Sequence, residues 1–155
     1  MFKSWLKSIL FFSQNNLIRY PLKFKTNPIA VRYCETDQMG FVHHSNYLKF
    51  FELARISWLE KLGLSYAAME KSGILMPVVK VQLHFKTPLY FGENFQVHVQ
   101  LLEPPKATLK FKYEIFNDQG VLNCSGETLL AFLSKTSGRP MRCPEVLRSV
   151  FAQLD

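Results

Sequence analysis

The segment SNYLKFFELARISWLEKLG, from Ser45 to Gly63, is the strongest constraint on how this chain can fold. Tyr47, Leu48, Phe51, Ala54, Trp58, Leu59 and Leu62 recur at helical spacing, and Phe50 and Leu53 add apolar surface outside that stripe. Ser45 stands at the N-cap position and Gly63 at the C′ stop. A helix of about eighteen residues is ~27 Å long. With apolar surface on several sides, it has to be wrapped by other structure and cannot simply lie against one surface.

The rest of the chain supplies the wrapping. IAVRYCE reads as a strand, Thr36 to His44 as a glycine-containing loop, and Tyr66 to Lys71 as a short helical patch. Val79, Val81, Leu83 and Phe85 then alternate with polar residues, as do Phe95, Val97, Val99 and Leu101, which is the period of half-buried antiparallel strands. Ala107 to Phe116 and Val121 to Leu133 are two further strands with FNDQG as their hairpin turn, while TPLYFGEN and EPPKA supply the other breaks. Without an internal repeat or a low-complexity linker, this order predicts an α+β domain in which an antiparallel sheet of about five strands wraps one long central helix.

Composition excludes more than it identifies. A chain of 155 residues, nearly half of them apolar, is long enough for one domain with a real core. Cys34, Cys124 and Cys143 are an odd number with no C-x-x-C pair, which argues against a disulfide framework and a structural zinc and for a reducing, cytoplasmic setting. The net charge of +7 is unevenly spread: Lys3, Lys7, Arg19, Lys23 and Lys25 all precede Glu35, the first acidic residue. No basic face with interleaved aromatics and no RNA-binding motif follows, so nucleic acid is not an expected partner. Residues 1–22 read as an N-terminal amphipathic extension and 23–155 as the domain. In the extension, Lys7 interrupts the apolar residues and no cleavage-site pattern follows, so neither a secretory signal nor a membrane span is expected. Phe2, Trp5, Leu6, Ile9 and Phe12 share one helical face, which suits either docking on the domain or a partner chain, or weak peripheral contact with an anionic membrane.

The loop before the helix carries the functional signal. RYCETDQMGFVHHSNYLKFFELAR resembles the signature of the hotdog-fold acyl-CoA thioesterases of the 4-hydroxybenzoyl-CoA thioesterase family, in which Y-x-x-x-D-x-x-G-x-V-x-H-x-x-Y precedes an F-x-E-x-A-R helix. Tyr33, Asp37, Gly40, Val42, His44 and Tyr47 all match, and the likeness runs from about Thr26 to Lys135. His43 is the visible oddity, standing where relatives often carry an aromatic residue. The resemblance implies a hotdog fold, a homodimer or homotetramer with active sites at the dimer interface, and hydrolysis of an acyl-CoA thioester. It implies no cofactor beyond the coenzyme A of the substrate.

Thioester cleavage needs a group to attack or to activate water, and a site for the charge developing on the carbonyl oxygen. By carry-over Asp37 is the nucleophile or general base, and the backbone N–H of His44 is the oxyanion donor, since the first N–H groups of a helix lack intrahelical acceptors and its dipole favours negative charge. The His44 and Tyr33 side chains position Asp37 or the thioester, and Gly40, Val42 and Tyr47 complete the site. Lys86 and Lys106 are the candidates for the phosphates of coenzyme A. Competing readings stay open: Asp37 as a turn aspartate, since T-D-x-x-G is good turn chemistry, His44 as an ordinary first-turn histidine, and either lysine as a solvated strand-end charge. Glu52 occupies the F-x-E-x-A-R position, where an ion pair with Arg55 is the expected role. The four histidines lack metal-ligand spacing, so no metal is expected. A hotdog dehydratase or hydratase, or a non-catalytic acyl-CoA-binding protein, are the alternative functions.

Overall fold

The computed structural model describes residues 20–153. The helical reading of the N-terminal extension falls mainly on residues 1–19 and lies outside the described residues. In chain order come β1 (Leu22–Lys25), β2 (Ile29–Ala30), a single 3-10 turn (Tyr33–Glu35), α1 (Asn46–Lys61), α2 (Tyr66–Lys71) and β3 (Ile74–Leu75). They are followed by β4 (Val78–Phe85), β5 (Asn94–Leu101), β6 (Thr108–Asn117), β7 (Leu122–Ala131), β8 (Leu133–Ser134) and α3 (Glu145–Phe151). One antiparallel sheet is ordered β1-β5-β6-β7-β4, with β2 also pairing β5, and α1 packs against its inner face. The expected architecture is borne out.

Helix α1 begins and ends as its sequence dictates. Ser45 is the N-cap, and Gly63, at φ +78°, takes the left-handed C′ position. There the Leu64 N–H reaches the Leu59 carbonyl and the Gly63 N–H the Glu60 carbonyl, which closes the helix with a Schellman motif. The buried side is Tyr47, Phe50, Phe51, Ala54, Arg55, Trp58 and Leu59. Leu48, counted in the apolar stripe, is exposed, and of the two apolar residues outside the stripe Phe50 is buried and Leu53 exposed. Phe51 lies stacked on Tyr113 of β6 at 4.3 Å between ring centroids, and Trp58 meets Phe24, Phe111 and Phe151.

Three local expectations are corrected. IAVRYCE is not one strand: only Ile29 and Ala30 pair, after which Glu35 folds the chain back by accepting the Arg32 N–H at 2.8 Å and its guanidinium at 2.7 and 2.9 Å. The strand LKFK and the closing helix α3 carried no clear sequence signal; the first needs β5 as its partner and the second places Leu147 and Phe151 in the core. Strand β4 also departs from the half-buried pattern. A bulge between Val78 and Lys80 turns Val79 out of register, and Val81 and Phe85 remain 40% and 53% exposed although they pair with buried Thr128 and Cys124. As the last strand of the sheet, β4 has no neighbour beyond it among the described residues.

The buried ionisable groups make a pH prediction. Burial pushes Cys124 and Cys143 up from 9.0 to about 11 and Tyr47 from 10.0 to about 12. The unfolded chain releases these protons at lower pH than the native one, so their contribution is complete below about pH 9 and is lost as pH rises through 11 to 12. The urea midpoint is therefore expected to fall between pH 8 and pH 10, and an equal midpoint at both would contradict it.

Candidate active site

The loop from Thr36 to His44 folds over the head of α1 and is pinned at four points. The Glu35 carbonyl accepts the His43 N–H and the Asn46 side-chain amide, each at 2.8 Å, and the Val42 N–H donates to the Leu89 carbonyl at 2.8 Å. Phe41 forms an isolated bridge with Tyr90. The buried Glu35, held by Arg32, thus fixes the loop and the first turn of α1 together. Its role was not read from the sequence, where only its motif neighbours stood out; E-T-D following an arginine three residues earlier was the available signal.

Asp37 is a turn residue with one carboxylate oxygen left unengaged among the described residues. Its carbonyl accepts the Gly40 N–H at 3.0 Å, its N–H donates to the Phe41 carbonyl at 3.0 Å, and Oδ1 accepts the Met39 N–H at 2.8 Å. The other carboxylate oxygen makes no hydrogen bond among the described residues. Gly40 turns the loop at φ +84°, a conformation that strains any residue with a Cβ. The two readings of T-D-x-x-G are therefore compatible, because the turn occupies one oxygen and orients the second.

A cavity of about 390 Å³ opens beside this carboxylate, lined by Asp37, Met39, Phe41, Val42, His44, Tyr47, Phe85, Lys86, Thr87 and Pro88. Its walls are largely apolar. Tyr47 is buried at the base, edge-on to Phe50 and Phe85 at 5.9 and 5.2 Å. Of the residues singled out by sequence, the fold brings Asp37, Val42, His44, Tyr47 and Lys86 around this one space, with Gly40 shaping its rim loop. Phe85, Thr87 and Pro88, which were not named as site residues, come from the end of β4 and the start of the β4–β5 connection; the prior signals were the alternation of Phe85 and the place of Thr87 and Pro88 in the segment TPLYFGEN, within the reach of the family likeness.

Two candidates lie elsewhere in the single chain. Tyr33 sits on the 3-10 turn, 77% exposed, with its ring edge-to-face against Phe91 at 5.6 Å, outside the cavity lining. Lys106 belongs to the β5–β6 connection, where its carbonyl accepts the Cys143 N–H. Glu52 is on α1, its exposed carboxylate 3.9 Å from the buried Arg55 guanidinium. That pair matches the role expected of it. Among the described residues no group of three or more His, Cys, Asp or Glu side chains is arranged to hold a metal.

The head of α1 leaves one backbone donor without a partner among the described residues. Ser45 makes no side-chain cap bond, and the Asn46 and Tyr47 N–H groups turn back to the His43 and His44 carbonyls. The His44 N–H has no acceptor among the described residues. This donor lies one residue before the N-cap Ser45, close in the chain to the Asp37 carboxylate and beside the apolar cavity.

The family model described as the thioesterase-like superfamily matches residues 31–151. YneP of Bacillus subtilis, provisionally named an acyl-CoA thioesterase, is 38% identical over 114 residues, 74% of this chain and 83% of its own. Among solved structures, a DHNA-CoA thioesterase from Staphylococcus aureus is 38% identical with a TM-score of 0.73, over 77% of this chain and 80% of that one. The protein TT1821 of Thermus thermophilus is 39% identical with a TM-score of 0.77, over 84% of this chain and 98% of that one.

Proposed function

We propose that this chain, which belongs to the thioesterase-like superfamily, hydrolyses the thioester of an acyl-CoA to the free acid and coenzyme A at the head of α1. The single observation that carries the reading is the meeting of the free Asp37 carboxylate oxygen, the unpaired His44 N–H and an apolar cavity at one place. The names of the related CoA thioesterases support the reaction. The acyl group lies among Met39, Phe41, Val42, Tyr47 and Phe85, and Lys86 at the cavity is the phosphate contact. Asp37 either attacks the carbonyl carbon or takes a proton from a water that does. The carbonyl oxygen, as it becomes an oxyanion, is held by the His44 N–H, and collapse expels the coenzyme A thiolate, which takes up the proton given up by water; where Asp37 itself attacked, water then hydrolyses the Asp37–acyl anhydride, releasing the free acid and restoring the carboxylate. The His44 side chain positions the thioester. The three free cysteines, Cys34 exposed, Cys143 half-buried and Cys124 buried, suit a reducing cytoplasm.

The test is thiol release from a panel of aryl- and alkyl-CoAs, followed with a colorimetric thiol reagent and matched to free acid. Equimolar thiol and acid are expected. A change in enoyl absorbance without thiol would make the chain a hydratase, and binding without turnover a carrier.

The active unit is a homodimer at least, with β4 as its seam. Its open edge and the exposed Val81 and Phe85 beside the cavity are what a second copy of β4 would cover, extending the sheet and closing the site. Light scattering is expected to give at least twice the 18.0 kDa of one chain at micromolar concentration. A mass of one chain would contradict it.

A further inference from the structure

His43 borders the proposed site yet has no part in the proposed reaction, and it is held more firmly than a solvated side chain requires. Its N–H donates to the Glu35 carbonyl at 2.8 Å and its own carbonyl accepts the Asn46 N–H at 3.0 Å. Its ring packs on that of His44 with centroids 4.0 Å apart and planes at 37°. Nδ1 lies 2.9 Å from the Ser45 hydroxyl and accepts the Ser45 N–H at 3.4 Å. With its ring proton on Nε2, Nδ1 accepts from both the hydroxyl and the N–H of Ser45. Ser45 is also the N-cap of α1, and its hydroxyl makes no bond to the helix. The residue whose usual task is to cap the helix instead anchors the histidine, and the first turn receives no side-chain oxygen from it.

We infer that His43 is a positioning residue: anchored by Ser45, its ring is the buttress that holds the His44 imidazole in place at the cavity wall. The inference rests on the assignment of His44 to the site. A side chain loses rotamer freedom only against something, and His44, which is exposed and makes no side-chain hydrogen bond among the described residues, has the His43 ring as its support. The chemistry asked of His43 is thus shape and orientation, not proton transfer.

A double-mutant cycle tests this on the full chain, with melting curves recorded for every variant. His43→Ala is expected to lower kcat by about tenfold with KM within about twofold, as misplacement of a reacting group does. His43→Phe, which keeps a ring face without Nδ1, recovers most of the loss. In a His44→Ala background the same His43→Ala change costs no more than about twofold, because the group it supported is gone. An equal loss in both backgrounds, a loss carried by KM, or a His43→Phe variant no better than His43→Ala would each overturn the buttress role. Full turnover in His44→Ala alone would remove the premise, and the inference would fall with the site assignment.

Discussion

Asp37→Asn is expected to lower turnover by about a hundredfold or more, the scale of a lost base or nucleophile, with acyl-CoA binding largely kept. Asparagine preserves the size of the side chain and an oxygen that can accept the Met39 N–H, now at 2.8 Å, so the turn that carries Gly40 at φ +84° survives. What disappears is the negative charge on the oxygen that no other group occupies. The contrast is Glu52→Gln. Glu52 lies eight residues beyond His44, about 12 Å along a helix at 1.5 Å per residue, and within one chain it cannot act on a carbonyl held at the His44 N–H. Its carboxylate is 63% exposed and 3.9 Å from Arg55, a distance and exposure at which an ion pair contributes little. Glu52→Gln is therefore expected to keep turnover within a few-fold and to shift stability slightly. Steady-state kinetics on the two folded variants decide between them. Near-normal turnover in Asp37→Asn, with loss in Glu52→Gln, would transfer the chemistry to the helical carboxylate.

Gly126→Ala is expected to destabilise the chain by about 3 kcal/mol, at the upper end of what overpacking a core costs. A Cβ at Gly126 would sit 2.6 Å from the Gln82 carbonyl oxygen and 2.7 Å from the Phe51 ring. The first is backbone of β4, paired with β7 at Leu83 and Gly126, and cannot swing aside. The second is a fully buried ring stacked on Tyr113, in a core whose close packing resists displacement. Either the β4 pairing or the α1 contact has to open, and both frame the cavity. Urea unfolding at one fixed protein concentration measures the loss, with Ser125→Ala on the outer face of the same strand as the comparison. A Gly126→Ala midpoint equal to that of Ser125→Ala would mean that α1 sits less closely on the sheet than described.

The long elements of this fold were legible because their periods are carried by many residues. Helix α1 and strands β5, β6 and β7 emerge within one or two residues of the expected limits, and Tyr66–Lys71 emerges at its expected bounds. Strand β1 was not legible, since Leu22–Lys25 is four residues whose pairing exists only because β5 is there to receive it. IAVRYCE misled because β-branched and aromatic residues favour strand locally, while the grip of Glu35 on Arg32 three residues earlier, one carboxylate oxygen accepting two guanidinium N–H groups and the other the Arg32 backbone N–H, decides the backbone. Leu48 and Val81 misled for a different reason. Apolar spacing marks what is suited to burial, and within the single chain Leu48 and Val81 remain 39% and 40% exposed.

At the site, the motif residues were readable one by one, and their convergence was not. That Asp37, His44 and Tyr47 share a cavity follows from a loop pinned to Glu35 and Leu89, and its far wall comes from Phe85 to Pro88, about forty residues later in the chain. Tyr33 illustrates the opposite outcome. Its spacing of four from Asp37 places it in the motif, yet the 3-10 turn points it at Phe91.

A crystal structure of the protein with a non-hydrolysable acyl-CoA, in which a methylene replaces the thioester sulfur, measures the central claim most directly. The account predicts the carbonyl oxygen within hydrogen-bond distance of the His44 N–H, the carbonyl carbon facing the free oxygen of Asp37, and the acyl group against Phe41, Tyr47 and Phe85. A carbonyl found beside Glu52, with Asp37 turned away and the His44 N–H unengaged, would contradict it.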